Sequence, residues 1–453
     1  MKEVFKRLYI KIKKLKFKEI ILNTFAILLF LLPVIPEKGT YALESRKWIM
    51  FNSLTIITSV ILLITLVIEK KFKLNVWDGL LIIYLTTVSI SMLLTKFGVW
   101  EAFTGSNGRG EGVLTIASYI ITFIIFSKGY KYVKWTLKIA IVGAIIVSIY
   151  SVLQVMLPAD IIFPEGLNRR AHYATGTMRN QNFLSSYICL FLPMMVFKYI
   201  NKGRLINLFT TIMLFLALIF SVTLGGYLTF ALMFIVILIS SLIFNKNKWK
   251  VLQKSLLIVS IFIILFAGVD NIKGGKYSKE LLNEKSKEST STSIETTKSG
   301  GNGRLEIWNK SLHVISNNIW FGVGPDSLAK EINNKYVYGS NKGIGYKKVD
   351  KAHSEPLQIA ATTGVPSMII YLVFVGALCL ELLKILVLKI KNDSNRFENK
   401  DNIFNAMVFI SIISYLCQSV INISVIHVAP IFWAILGLGA GILINTNELN
   451  KEK

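Results

Sequence analysis

Apolar runs of the length a helix needs to cross a bilayer recur from one end of this chain to the other, and nothing else in the sequence restricts the fold as strongly. A spanning helix takes about 20 mostly apolar residues, and twelve such runs begin near residues 18, 48, 76, 112, 135, 181, 205, 227, 251, 364, 402 and 428. Hydrophobic residues make up 53% of the 453 and the mean hydropathy is +0.55, against roughly 45 to 50% apolar in soluble domains. The pattern predicts an all-α, multi-pass membrane protein of about twelve transmembrane helices. The first run, Ile20 to Pro36, follows a basic stretch as a signal peptide would, yet no small-residue cleavage site stands out and further spans follow. It reads as a retained first helix.

The formal charge of +25 would suggest nucleic acid in a soluble protein. Here the lysines gather between apolar runs, in Lys2 to Lys18, Glu69 to Lys73, Lys128 to Lys134, Lys198 to Arg204, Lys246 to Lys254, Lys384 to Lys400 and the C-terminal tail. Such loops face the cytoplasm, so the charge encodes topology in the cell (plasma) membrane, with both termini cytoplasmic and no nucleic-acid partner. The intervening connections, 37–47, 96–111, 158–180, 223–226, 270 to roughly 360 and a turn around His427, then face outward. The longest, between the ninth and tenth spans, divides the chain into helices 1–9 (residues 1–269), an extracytoplasmic loop (270–360) and helices 10–12 (361–453). Within it, Lys276 to Asn302 is rich in Ser, Thr, Lys and Glu and reads as linker. Arg304 to Asn317 has Leu305, Trp308, Leu312 and Ile315 at helical spacing, predicting an amphipathic helix with that face inward or on the membrane. Cys189, Cys379 and Cys417 lie in apolar runs and suit neither a disulfide framework nor a zinc site.

Candidate chemistry concentrates in the outward connections. Of nine arginines, six fall there, Arg46, Arg109, Arg169, Arg170, Arg179 and Arg304, against the charge bias expected of that side. The guanidinium fork grips phosphate at two points, and the phosphates available at an outer membrane face are lipid headgroups or a lipid-linked diphosphate. Plain headgroup anchoring competes for Arg46, Arg169 and Arg170; Arg109 and Arg304 sit in Gly-flanked contexts. All four histidines, His172, His313, His353 and His427, map to the same side or its boundary. His353, in Lys351-Ala352-His353-Ser354-Glu355 just before the tenth span, is suited to take a proton from a hydroxyl near neutral pH; a hydrogen-bonded interfacial histidine is the plainer alternative. No paired-aspartate, HExxH or Cys-rich motif is present, which favours metal-independent chemistry with no cofactor. Without a P-loop, a glycosyl donor used outside must arrive already activated.

Four segments together resemble the O-antigen ligase and polymerase superfamily, which contains lipopolysaccharide O-antigen ligases, Wzy-type polysaccharide polymerases and protein O-oligosaccharyltransferases. They are Arg109-Gly110-Glu111-Gly112; Gly176 to Leu184; Gly303-Arg304 with Trp308 and Phe321-Gly322-Val323-Gly324-Pro325; and Ala352-His353-Ser354-Glu355 with Gly364-Val365-Pro366-Ser367, nine residues intervening between Ser354 and Gly364. The resemblance covers about residues 100 to 445 and implies a GT-C-like helical fold. It further implies that His353 activates an acceptor hydroxyl, that Arg304 holds a lipid diphosphate, and that Arg109, Arg179, Arg170 and Glu355 bind the diphosphate or glycan. Where many members carry a Ser-Arg pair near the eighth helix, this chain reads Thr223-Leu224-Gly225-Gly226-Tyr227. Either Arg179 or Arg170 substitutes, or the donor or reaction differs.

The function implied is an extracytoplasmic glycosyltransferase that moves a saccharide from an undecaprenyl-diphosphate carrier to a glycan, lipid or protein acceptor, as a polymerase or a ligase. The Lys, Ile and Asn bias suggests a low-GC genome, which for a Gram-positive source favours cell-wall or capsule polymerisation. A transporter or flippase of a lipid-linked or anionic solute is the rival; it requires ionisable residues deep in spans, whereas Asp78 and Glu381 lie near span ends.

Overall fold

In lipid a chain must pair its backbone groups within itself, so the apolar runs become helices. The computed structural model describes residues 2–36, 46–69, 74–105, 110–157, 173–281, 303–337, 349–393 and 396–451. In order, the main helices are α1 (Lys2–Leu31), α2 (Arg46–Glu69), α3 (Val76–Leu93), α4 (Val113–Lys128), α5 (Leu137–Met156), α6 (Gln181–Lys202), α7 (Leu205–Ser221), α8 (Leu224–Phe244) and α9 (Lys248–Ile272). Then come α10 (Gly303–Asn317), α11 (Leu328–Val337), α12 (Glu355–Thr363), α13 (Val365–Asn392), α14 (Lys400–Ser419) and α15 (Ala429–Lys451). No strand occurs among the described residues.

Among the described residues ten helices are long and apolar enough to cross a membrane, as a multi-pass membrane protein requires. At two of the twelve expected places, α4 and α7 are apolar but shorter, with 16 and 17 residues. At 1.5 Å per residue they reach about 25 Å, slightly less than the hydrocarbon thickness. Of the linker expected over Lys276 to Asn302, the part from 282 lies outside the described residues.

The bundle is centred on α6, whose spanning stretch is 94% buried, with α15 and α14 next at 83% and 72%; α9, at 17%, is peripheral and turns Leu256, Ile263 and Ile264 outward. The sequence of α6 explains one of its contacts. Pro193 has no N–H to give the carbonyl of Cys189, and Ser414 Oγ of α14 donates to that carbonyl instead at 2.6 Å, beside Ser411 Oγ on Leu190 O at 2.7 Å. A backbone acceptor released by proline within the bundle is thereby satisfied by the neighbouring helix.

The connections sort to two ends. At one, Lys202 Nζ donates to Glu398 O at 2.6 Å, Arg396 to Phe244 O at 3.3 Å, and Asp78 near the start of α3 pairs with Lys128 at 2.9 Å. At the other end the segments around 33–48, 91–97, 110–112, 173–182, 220–223, 319–326, 349–364 and 422–427 meet through hydrogen bonds. This second end gathers the connections that the charge pattern assigns to one side.

Helix α10 packs on α12. Ile307, Val314 and Ile315 join Val323, Ala352, Leu357 and Ala361 in a small apolar cluster, separate from the bundle core. Leu305 and Leu312 point outward at 49% and 51% exposure. Of the four positions expected to face inward or lie on the membrane, Ile315 joins this cluster, Trp308 is half-buried, and Leu305 and Leu312 face outward.

Candidate active site

All four sequence segments that carry the family resemblance meet at one end of the bundle, where few side chains hold them together. Lys47 and Trp48, at the start of α2, reach in opposite directions. Lys47 Nζ donates to Thr177 O at 2.9 Å and Pro33 O at 3.3 Å, while Trp48 Nε1 donates to Gly110 O and Thr115 Oγ1, each at 2.9 Å. Gln154 of α5 accepts from the N–H groups of Thr175 and Gly176, both at 2.9 Å. The Gly110 and Gly176 segments are thus fastened to one another through α2.

Glu111 links the first segment to the last two. Its carboxylate accepts from Tyr119 Oη, at 3.1 Å to each oxygen, and from the Ile426 N–H at 2.8 Å. Its own N–H donates to Asp326 Oδ2 at 3.3 Å. Asp326 in turn takes Lys351 Nζ in an ion pair whose side chains are 2% and 4% exposed. The third and fourth segments also share backbone bonds, Val323 N–H to Ala361 O at 3.0 Å and Gly324 N–H to Thr362 O at 2.8 Å. Asn422 joins the second segment by donating to Asn182 O at 3.1 Å and Ser186 Oγ at 2.7 Å.

These groups line a cavity of about 80 Å³, edged by Glu111, Asp326, Lys351 and Glu355, with room for several waters. Its aromatic wall is closed on itself, because Trp433 stacks on Tyr119 and Phe374 at 6.2 Å each. Glu355, the first residue of α12, is 6% exposed. Oε1 accepts from Tyr371 Oη at 3.1 Å, and Oε2 has no hydrogen-bond partner among the described residues.

Burial pushes the Glu111 carboxyl up to about 8; Lys351 opposes this and Asp326 reinforces it, while the Tyr119 and Ile426 hydrogen bonds pull back. Burial likewise pushes Glu355 up to about 7, against the hydroxyls of Tyr371, Ser424 and Ser419. A carboxyl raised by folding keeps a proton that the unfolded chain releases above its ordinary 4.5, so this stability is present below that value and lost as pH rises toward 7 to 8. We expect the thermal midpoint of the purified protein to fall from pH 5 to pH 8 and the fall to shrink in Glu111→Gln. A midpoint that rises over that interval in wild type and variant alike contradicts the assignment.

The sequence-derived candidates fall at different places. His353 lies in the loop between Val349 and α12, its side chain 28% exposed with Nε2 4.0 Å from Asp350. Its backbone is left-handed, φ 51°, a conformation costing about 1 to 3 kcal/mol that persists where the surroundings impose it. The loop is pinned on both sides, by Lys351 on Asp326, by Ala352 N–H on Gln358 Oε1 at 2.8 Å and by Gln358 N–H on Ser354 O at 2.8 Å. Asp326 and Arg179 are also left-handed, at 56° and 61°, so of the five such non-glycine residues described two belong to these segments and a third, Asp326, directly follows one. Arg179 is half-buried in the turn before α6, where Asn180 caps the helix. Arg304 is half-buried in the first turn of α10, one turn from Ile307 in the cluster that holds Ala352. Glu355 turns into the cavity. Arg109 and Arg170, with Arg169 and His172, lie outside the described residues. His427 stacks on Phe183 at 5.5 Å.

Asp326 and Lys351 were not singled out in the sequence, where neither has a motif of its own. The Gly225-Gly226 departure has a steric reason: a Cβ on Gly226 would lie 2.1 Å from Ser185 Oγ of α6, and one on Gly225 2.8 Å from Ile421. Two helices close together occupy the space a longer side chain would need.

No curated protein matches the chain. Residues 209–372 match the family model described as O-Antigen ligase, a stretch that runs from α7 into α13 and includes Arg304, Asp326, His353 and Glu355. Through this segment the chain is similar to the O-antigen ligase family.

Proposed function

We propose that the protein is a glycosyltransferase acting at the outer face of the cell membrane, moving a saccharide from an undecaprenyl-diphosphate-type carrier to an acceptor hydroxyl without a metal ion. His353 takes the acceptor's O–H proton as the oxygen attacks the anomeric carbon. The new glycosidic C–O bond forms as the bond from that carbon to the diphosphate oxygen breaks, and the leaving oxygen departs with the electron pair as lipid diphosphate. Single displacement inverts the anomeric centre. Arg304, with Arg109 and Arg179, neutralises the charge that develops on the leaving group, where fixed positive charge lowers the barrier most; Arg170 is the alternative to Arg179. Glu355 shapes the glycan side of the site.

The observation that carries this reading is that the partly exposed His353 is held in a left-handed loop, at the end of the bundle where all four family-like segments meet. A general base needs both access and fixed aim. The reading is tested by reconstituting the purified protein in lipid with a short undecaprenyl-diphosphate oligosaccharide, in the presence of EDTA. Lengthened lipid-linked glycan is the polymerase outcome, and transfer to an added acceptor is the ligase outcome. Flipping of the same lipid by a folded protein that makes neither product replaces the reading with transport.

A further inference from the structure

The feature not absorbed by this mechanism is the buried ion pair behind the histidine loop. Lys351 stands two residues before His353, and its side chain is 4% exposed where it pairs with Asp326. Asp326 follows the Gly-rich turn of the third segment in a left-handed conformation, and it accepts from the backbone N–H of Glu111, 215 positions away. Glu111 is itself held by Tyr119 and by the Ile426 N–H. One chain of polar contacts therefore runs from the α14–α15 connection through the first and third segments to the loop that carries His353.

We propose that Asp326 and Lys351, braced by Glu111, are positioning residues for His353. The proposal rests on the reading of His353 as the base, but the anchoring itself is read separately. A buried ion pair adds little stability over apolar residues of the same volume, whereas removing one partner leaves an uncompensated buried charge. What the pair supplies is geometry: it ties the loop to a turn that also bonds α12 through Val323 and Gly324. A loop fixed at Lys351 on one side and at Gln358 on the other leaves His353 a narrow range of aim, and an error of about 1 Å in a reacting group can cost about 100-fold in rate.

The test uses the full-length protein in lipid nanodiscs. Modification of His353 by diethyl pyrocarbonate is followed on its peptide by mass spectrometry in wild type, Asp326→Asn, Lys351→Met and the double variant. Each single change is expected to raise the modification rate about tenfold by releasing the loop. In the transfer assay kcat is expected to fall about 10- to 100-fold, with the donor KM within about threefold. The double variant is expected to recover the thermal midpoint, because no lone charge remains, while His353 stays over-reactive and kcat stays low. Unchanged His353 reactivity in the single variants overturns the proposal, as does a double variant in which kcat and reactivity return together with stability. If reactivity responds as expected while His353→Ala transfers glycan normally, the anchoring stands and the glycosyl-transfer role of His353 falls.

Discussion

Replacing His353 by Asn is expected to lower the rate of glycan transfer by about 100- to 10,000-fold, the range a positioned general base contributes, without a matching loss of folded protein. Asparagine is the informative substitute. It tolerates the left-handed backbone that His353 adopts at φ 51° better than most residues, so the loop keeps its path while the imidazole is lost. The side chain lies outside the buried ion pair, so the substitution leaves that pair in place. Alanine at the same position loses the base and keeps the backbone strain, and its rate should match that of Asn with a slightly lower midpoint. Donor affinity should hardly change in either variant, because the proposed mechanism assigns the diphosphate to arginines elsewhere. Transfer by His353→Asn within about tenfold of wild type would show that another group accepts the proton.

How much of this was legible in the sequence depends on how far each feature reaches along the chain. The spanning helices are local, since an apolar run in lipid has few alternatives to a helix. The expected starts near 76, 181, 205 and 428 accordingly agree with Val76, Gln181, Leu205 and Ala429. The spacing in α10 leaves open which apolar residues face the fold and which face outward, and the partner decides between them. Ile307, Val314 and Ile315 share a cluster with Leu357 and Ala361 of α12, and Leu312 faces out. The family-like segments were legible as motifs but not as a contact set. Glu111 and Asp326 meet across 215 positions and Glu111 and Ile426 across 315, and no periodicity encodes such a meeting. The ion pair was invisible for a simpler reason, since an isolated Lys and an isolated Asp in an outward loop look like any solvated charges.

Gly364→Ala is expected to destabilise the protein by several kcal/mol and to abolish transfer, whereas Gly376→Ala in α13 is expected to leave both within error of wild type or to stabilise slightly. The contrast follows from what a methyl group would meet. Gly364 joins α12 to α13 at φ 94°, and a Cβ there would lie 2.2 Å from the carbonyl oxygen of Trp320 and 2.5 Å from its carbon. Both are backbone atoms of the Gly-rich turn, so no side chain can rotate away. Around Gly376 nothing lies within 4 Å, and alanine is the better helix former by about 1 kcal/mol. At Gly364 the strained backbone costs about 1 to 3 kcal/mol and the forced separation about as much again, set against a total stability of about 5 to 15. Relief requires the 319–324 turn to leave the α12–α13 junction, breaking Val365 N–H to Ile319 O at 2.8 Å and Gly324 N–H to Thr362 O at 2.8 Å. Asp326 stands two residues beyond that turn, so its displacement also withdraws the anchor of the His353 loop. Thermal midpoints in detergent and transfer rates in lipid distinguish the two variants, and equal behaviour of Gly364→Ala and Gly376→Ala would remove the steric account of the junction.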